Sequence, residues 1–263
     1  MTTQLIDIGA NLIHRYFNLD RKEVIQRAID AGVSTIIITG SNVKSSQAAQ
    51  RLASYYPGKL YVTAGVHPHD SRNSNDATIN MLRNLASSKE IVAIGECGLD
   101  YNRDFSPRLI QNKWFEAQIE LACELGIPLF MHERDAHKRF VEIIANYKDK
   151  LKSAVVHCFT GTDEELKVYL DMGFHIGITG WICDGRGGKH MRDIVSKVPL
   201  DRLMIETDAP FLTPKNMPSN PSNGRNEPAF LTYVLNEVAR SLRKPYEEIA
   251  IVTTANAKKF FNL

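Results

Sequence analysis

The chain has 263 residues, 43% hydrophobic and 24% charged, with a formal net charge of +2. These proportions exclude a disordered or collagen-like chain, and so small a charge excludes a histone-like nucleic-acid binder while leaving a local basic patch open. No stretch approaches the roughly 18 apolar residues of a bilayer span, and the N-terminus lacks the basic start and apolar run of a secretory signal, so a cytoplasmic protein with no membrane partner is expected.

In chain order, short apolar or β-branched runs recur at Leu5–Ile8, Thr35–Ile38, Leu60–Val66, Ile91–Ile94, Pro128–Met131, Ala154–Val156, Phe174–Ile178 and Leu203–Ile205. Being apolar at nearly every position, they suit strands covered on both faces, as in a parallel sheet or barrel. Helix punctuation lies between them. Asp20 with Glu23 and Thr162 with Glu165 fit capping boxes, and Ser106 before Pro107 fits N-cap and first-turn positions. Pro107–Leu125, with Phe115, Ile119 and Ala122 at helical spacing, reads as an amphipathic helix. Gly32, Gly126 and Gly173 each stand where a helix ends just before an apolar run. Thr213–Pro228 is a long Pro/Asn/Ser-rich loop, after which Pro228–Leu242 and Pro245–Phe261 resume helical patterning and would close the barrel. Eight strand–helix units without a linker predict one α/β domain, a (β/α)₈ barrel over residues 1–263, with a doubly wound open sheet as the alternative. The four cysteines, Cys97, Cys123, Cys158 and Cys183, form no CxxC pair and are expected to be reduced packing residues.

Nearly every apolar run leads into a residue with metal or phosphate chemistry: Asp7 and Asn11, His67 and His69, Glu96, His132, His157, Trp181, and Glu206 with Asp208. In a barrel these strand ends meet at the C-terminal face, where active sites are built. Neutral imidazoles with carboxylates, here His132, His157, Glu96 and Asp208, are the donor set of a hydrolytic Zn²⁺, Mn²⁺ or Mg²⁺ centre; the bland alternative is four unrelated buried polar groups. Asp208, in Glu206-Thr207-Asp208-Ala209-Pro210, is placed to orient a water or take its proton. His67 and His69 read either as a solvent-facing turn or as contacts to an anionic substrate, and Gly185–Lys189 as a phosphate cradle or a flexible loop. Arg103, Arg186, Lys189 and Arg225, with Tyr101, Phe105, Phe159 and Trp181, fall on loops of the same face, a mixture suited to single-stranded nucleic acid.

Seven segments, taken in order, carry a resemblance: Gly65-Val66-His67-Pro68-His69, Ile94–Tyr101, Met131–Ala136, His157–Gly161, Gly177–Trp181, Glu206–Pro210 and Arg225–Pro228. Over essentially its whole length the chain resembles the TatD-type metal-dependent deoxyribonucleases, a branch of the amidohydrolase-like barrels. The resemblance implies Glu96, His132, His157 and Asp208 as metal ligands, with Glu96 and Asp208 the carboxylates at the reacting centre. It implies phosphodiester hydrolysis in DNA or RNA, from the 3′ end of single strands, in repair or turnover. His67, Arg103 and Arg225 would hold phosphates, and Trp181 or Tyr101 would stack a base. Many members open with Asp-x-His-x-His, whereas here Asp7-Ile8-Gly9-Ala10-Asn11 puts Gly9 and Asn11 at the histidine positions. An amide oxygen from Asn11 would favour Mg²⁺ over tightly held Zn²⁺, with Mn²⁺ also suited. A monomer or weak oligomer is expected. The rival readings are an amide, lactone or deaminase hydrolase, disfavoured because no lysine ends a strand, and a barrel that binds nucleic acid without turnover.

Overall fold

A computed structural model describes residues 4–263 except 186, 220, 222 and 223. Eight strands, β1 (Leu5–Ala10), β2 (Val33–Thr39), β3 (Leu60–Ala64), β4 (Ile91–Asp100), β5 (Leu129–Arg134), β6 (Ala154–Val156), β7 (His175–Ile178) and β8 (Leu203–Ile205), pair in parallel in sequence order. Consecutive order excludes the doubly wound alternative, whose strand order reverses. Helices α1 (Arg21–Asp30), α2 (Val43–Ser54), α3 (Thr78–Leu85), α4 (Arg108–Leu125), α5 (His137–Ile144), α6 (Asp163–Asp171) and α7 (Gly188–Val195) alternate with the strands, and α8 (Leu231–Leu242) and α9 (Tyr246–Phe261) follow the last. Among the described residues no helix is long and apolar enough to cross a membrane.

The barrel closes at the β8–β1 seam by side-chain as well as backbone bonds. The strands meet there in one isolated bridge, Ala10 with Ala209. Asp7, fully buried, adds the rest: its carboxylate accepts from the Thr207 amide (2.9 Å), the Thr207 hydroxyl (2.5 Å) and the Gly9 amide (3.2 Å). The Asp208 amide donates to the Gly9 carbonyl (2.8 Å) and the Asn11 amide to the Ala209 carbonyl (2.6 Å). Inside the barrel Ile6, Ile8, Phe130, Val155 and Met204 form a buried cluster, into which α9 packs Phe260 and Phe261.

Local chemistry explains most element boundaries. Gly32, Gly126 and Gly173 adopt φ of 90°, 63° and 80°, the left-handed conformation that ends a helix at low cost in glycine. Thr162 and Glu165 form the expected capping box. Two expectations are corrected. Asp20 makes no cap bond to α1, because its carboxylate is drawn to Arg225 and Arg27. Ser106 does not cap α4, which begins at Arg108; its hydroxyl donates to the His69 carbonyl (2.9 Å) and accepts from the Arg72 amide (3.1 Å). Strand β4 runs six residues beyond its apolar stretch, to Asp100, with Gly98 against His132 of β5. A side chain at Gly98 would overlap the His132 carbonyl, so glycine permits this approach.

Candidate active site

The strand ends enclose a cavity of about 620 Å³ lined by Glu96, His132, His157 and Asp208 together with His67 and Trp181, among others. Glu96, from β4, is its hub. One oxygen, Oε1, lies 2.7 Å from His157 Nε2, 3.2 Å from His132 Nδ1 and 3.3 Å from His67 Nε2. Ligand-capable atoms of His67, Glu96 and His132 all fall within 4.8 Å of one another.

What stands behind each ring decides what its cavity-facing nitrogen can do. His157 Nδ1 lies 3.4 Å from Glu206 Oε2, and the other Glu206 oxygen accepts from the Cys158 amide at 2.6 Å. With Nδ1 held by Glu206, Nε2 is the nitrogen that faces the cavity; it is hydrogen-bonded to Glu96 at 2.7 Å and would give up its proton on binding a metal. His132 repeats the arrangement: Nε2 sits 3.4 Å from Asp100 Oδ2, without a well-directed hydrogen bond, leaving Nδ1 on the cavity side. His67 is the opposite case. Its Nδ1 accepts from the His69 amide at 3.1 Å, so the proton of the neutral ring resides on Nε2 and His67 faces the cavity as a donor. Burial lowers His67 to about 4, whereas for His157 and His132 burial is outweighed by Glu96 with Glu206, and by Asp100 with Glu96, which raise them. Burial pushes Asp208 up to about 8, with His157 opposing and Glu96 and Glu206 reinforcing the rise. Buried carboxylates crowded enough to hold a proton are a setting that a divalent cation would relieve, so the residues present fit such an ion.

Glycine at position 9 has a geometric reason. A β-carbon there would overlap Glu206 Oε2, and one at Gly177 would press on Oε1 at 2.6 Å. The space in which a histidine of the first strand would begin is occupied by the carboxylate that backs His157. Asn11 donates its amide Nδ2 to Asp208 Oδ1 (3.2 Å), orienting that carboxylate instead of offering an oxygen. Asp208 itself adopts φ 55°, a conformation that aspartate tolerates better than most side chains.

Of the residues expected to touch substrate, His67, Arg103 and Trp181 line the cavity and Arg225 does not. The Arg225 guanidinium is bound to Asp20 (2.7 and 2.8 Å), Glu227 (2.6 Å) and the Tyr16 carbonyl (2.6 Å) and lies over the Phe17 ring at 4.9 Å. Its expected phosphate contact is therefore replaced by a clamp that ties the loop after β8 to the start of α1. Tyr101 is likewise outside, its hydroxyl on Asn112 (2.6 Å) and its ring under Arg108 at 4.4 Å, and Phe159 is buried in the core. In the glycine-rich segment the Gly187 amide is taken by Asp184 (3.2 Å), and Arg186 lies outside the described residues.

Two site carboxylates lacked an assigned role in the sequence reading. Asp100 is fully buried and accepts from the Arg103 amide (2.9 Å) and the Asn102 amide (3.1 Å), with His69 Nε2 at 2.5 Å. Burial raises it, but the neighbouring His132 imidazole and the hydrogen bonds from His69 and the Arg103 amide prevail and hold it well below the carboxylate range. Glu206 is the second, and its place directly after β8, two residues before Asp208, is the signal for it.

The family described as TatD related DNase matches residues 6–262. A 3′-5′ ssDNA/RNA exonuclease TatD of Pantoea sp. (strain At-9b) is 48% identical over 259 residues, covering 98% of this chain and 100% of that protein. The protein of the same name from Shigella flexneri serotype 5b is 47% identical, covering 98% and 99%. Among solved structures, the TatD homolog YJJV of Escherichia coli K12 superposes with a TM-score of 0.91 at 28% identity over 100% of both chains. A TatD family hydrolase of Entamoeba histolytica gives 0.88 at 27% identity, covering 99% and 98%.

Proposed function

Because the chain belongs to the TatD related DNase family, we propose that it is a divalent-metal-dependent nuclease that removes nucleotides from the 3′ end of single-stranded DNA and RNA, in repair or turnover. The observation that carries this reading is the pair of imidazoles, each with a carboxylate behind it and each presenting its other nitrogen to Glu96 in the cavity. Glu96, His132, His157 and Asp208 are the residues that would hold the ion. When bound, it supplies positive charge for a non-bridging phosphate oxygen and makes a water acidic enough to attack phosphorus. The mixture of oxygen and imidazole donors suits Mg²⁺ or Mn²⁺ arriving with substrate, Mg²⁺ first.

The chain's own residues do the remainder. Asp208, held by Asn11, orients the water and accepts its proton as the oxygen–phosphorus bond forms. His67 donates its Nε2 proton in a hydrogen bond to a phosphate oxygen and stays neutral while doing so, since burial keeps it from taking a second proton at pH 7. Arg103, 45% exposed and only 3.4 Å from Asp100, is free to turn to a flanking phosphate, and Trp181 offers a face for a base.

The test is digestion of 5′- and 3′-labelled single strands of DNA and RNA across Mg²⁺, Mn²⁺ and Zn²⁺. Shortening from the 3′ end is expected, with His157→Ala and Asp208→Asn each reducing the rate at least about a hundredfold. Intact strands under every metal, with turnover of amides or lactones, would replace this reading with the hydrolase of small molecules.

A further inference from the structure

A second cavity, of about 360 Å³, opens beside the first over the loops that follow β5, β6 and β7. Glu133, Arg134, Thr160 and Trp181 line both spaces, so the cavities meet along a saddle of these residues. The volume falls in the range of about 300 Å³ upward in which small ligands are held.

The acidic groups of the second cavity are engaged locally. Glu133 accepts from the Ala136 amide (2.8 Å) and the Tyr169 hydroxyl (2.9 Å), Glu165 from the Thr162 amide (2.7 Å) and Asp135 from Asn102 (2.6 Å). Arg134 differs: among the described residues its guanidinium has no hydrogen-bond or ion-pair partner. The Trp181 indole lines both cavities, and Gly187 lies beside it, where a β-carbon would stand 3.8 Å from the ring. An unpaired guanidinium and an indole lining the same cavity, on a saddle leading from the site of phosphodiester cleavage, are the chemistry that grips one more phosphate and one more base.

We propose that the second cavity is a nucleotide site. It rests on the exonuclease reading above: the two nucleotides that flank the scissile bond occupy the first cavity, the strand passes over the saddle, Arg134 holds the phosphate that joins them to the third nucleotide, and the third base lies against Trp181. Neighbouring nucleotides, and not only the scissile bond, then contribute to recognition, without any base-specific contact.

The experiment compares thymidine di-, tri- and hexanucleotides in two assays, turnover with Mn²⁺ and binding by fluorescence anisotropy without divalent metal. In the unmodified protein kcat/KM and affinity should both rise about tenfold from dimer to trimer and then level off. Arg134→Met, which removes the charge, and Gly187→Leu, which fills the space, should each abolish that step, chiefly through KM, while Mn²⁺ affinity measured by electron paramagnetic resonance holds. Arg134→Lys should restore part of it. Length-dependent binding without turnover would keep the site and overturn the exonuclease. Turnover with no step at the trimer, or variants that weaken every length equally, would overturn the site.

Discussion

At the scale of single residues, the outer partner of each imidazole sets its function. Glu206 is fully buried behind the cavity, yet it fixes which nitrogen of His157 faces the cavity. Glu206→Gln should therefore weaken Mn²⁺ binding about 10- to 100-fold, the usual cost of losing such a partner, with little change in circular dichroism. Gly9→Ala should do the same from the opposite strand, because the added methyl displaces the Glu206 carboxylate. Unchanged Mn²⁺ affinity in both variants would show that Glu206 does not position His157. His67 gives a contrasting expectation. Its lone pair is already used by the His69 amide, so His67→Asn should retain metal affinity by calorimetric titration while kcat falls. A parallel loss of metal would make His67 a ligand.

At the scale of elements, the seam between β8 and β1 is the place where the barrel depends on a side chain. Three bonds converge on Asp7 where two strands share one backbone bridge. Asp7→Ala should lower unfolding stability by about 3 kcal/mol in urea, roughly 1 kcal/mol for each buried bond lost. The pH dependence follows from the same burial, which pushes the Asp7 carboxyl up to about 7 against the hydrogen bonds from Thr207 and Gly9. Because the folded state binds this proton more tightly than the unfolded chain, the contribution is complete below the ordinary value of 3.8 and is lost as pH rises through about 7. Denaturation midpoints measured from pH 5 to 8 should fall accordingly, and Asp7→Asn should flatten that part of the curve.

At the scale of the molecule, a barrel that gathers Glu96, Asp100, Glu206 and Asp208, all buried or nearly so, at one end stores like charge that its own imidazoles offset only in part. A divalent cation at about 100 times its Kd adds about 2.7 kcal/mol by mass action, and a domain of this size gains about 2–4 °C per kcal/mol. Mn²⁺ or Mg²⁺ should therefore raise the melting temperature by roughly 5–10 °C, reversibly on chelation. A variant lacking two of the four ligands, His157 and Asp208, should show no rise; a melting temperature indifferent to metal in the unmodified protein would remove the metal from the proposal.

The alternation of strands and helices, the glycine helix ends and the chemistry waiting at each strand end are legible in the residues alone. These are local matters: a run of β-branched residues, a turn glycine and a carboxylate after a strand declare themselves within a few positions. Burial on both faces of a parallel sheet also made the strand runs continuous and easy to read. The partners were decided by tertiary structure alone. Asp20 and Arg225 stand 205 positions apart, Asp7 and Thr207 200 apart, and His157 and Glu206 49 apart. Whether Asp20 caps a helix or holds an arginine, whether Arg225 meets a phosphate or a clamp, and which nitrogen of a histidine faces the cavity all depend on which distant group arrives within hydrogen-bonding distance. A hydrogen bond loses its strength beyond about 3.5 Å, so only the closed barrel, with its strand ends in register, could choose among those partners.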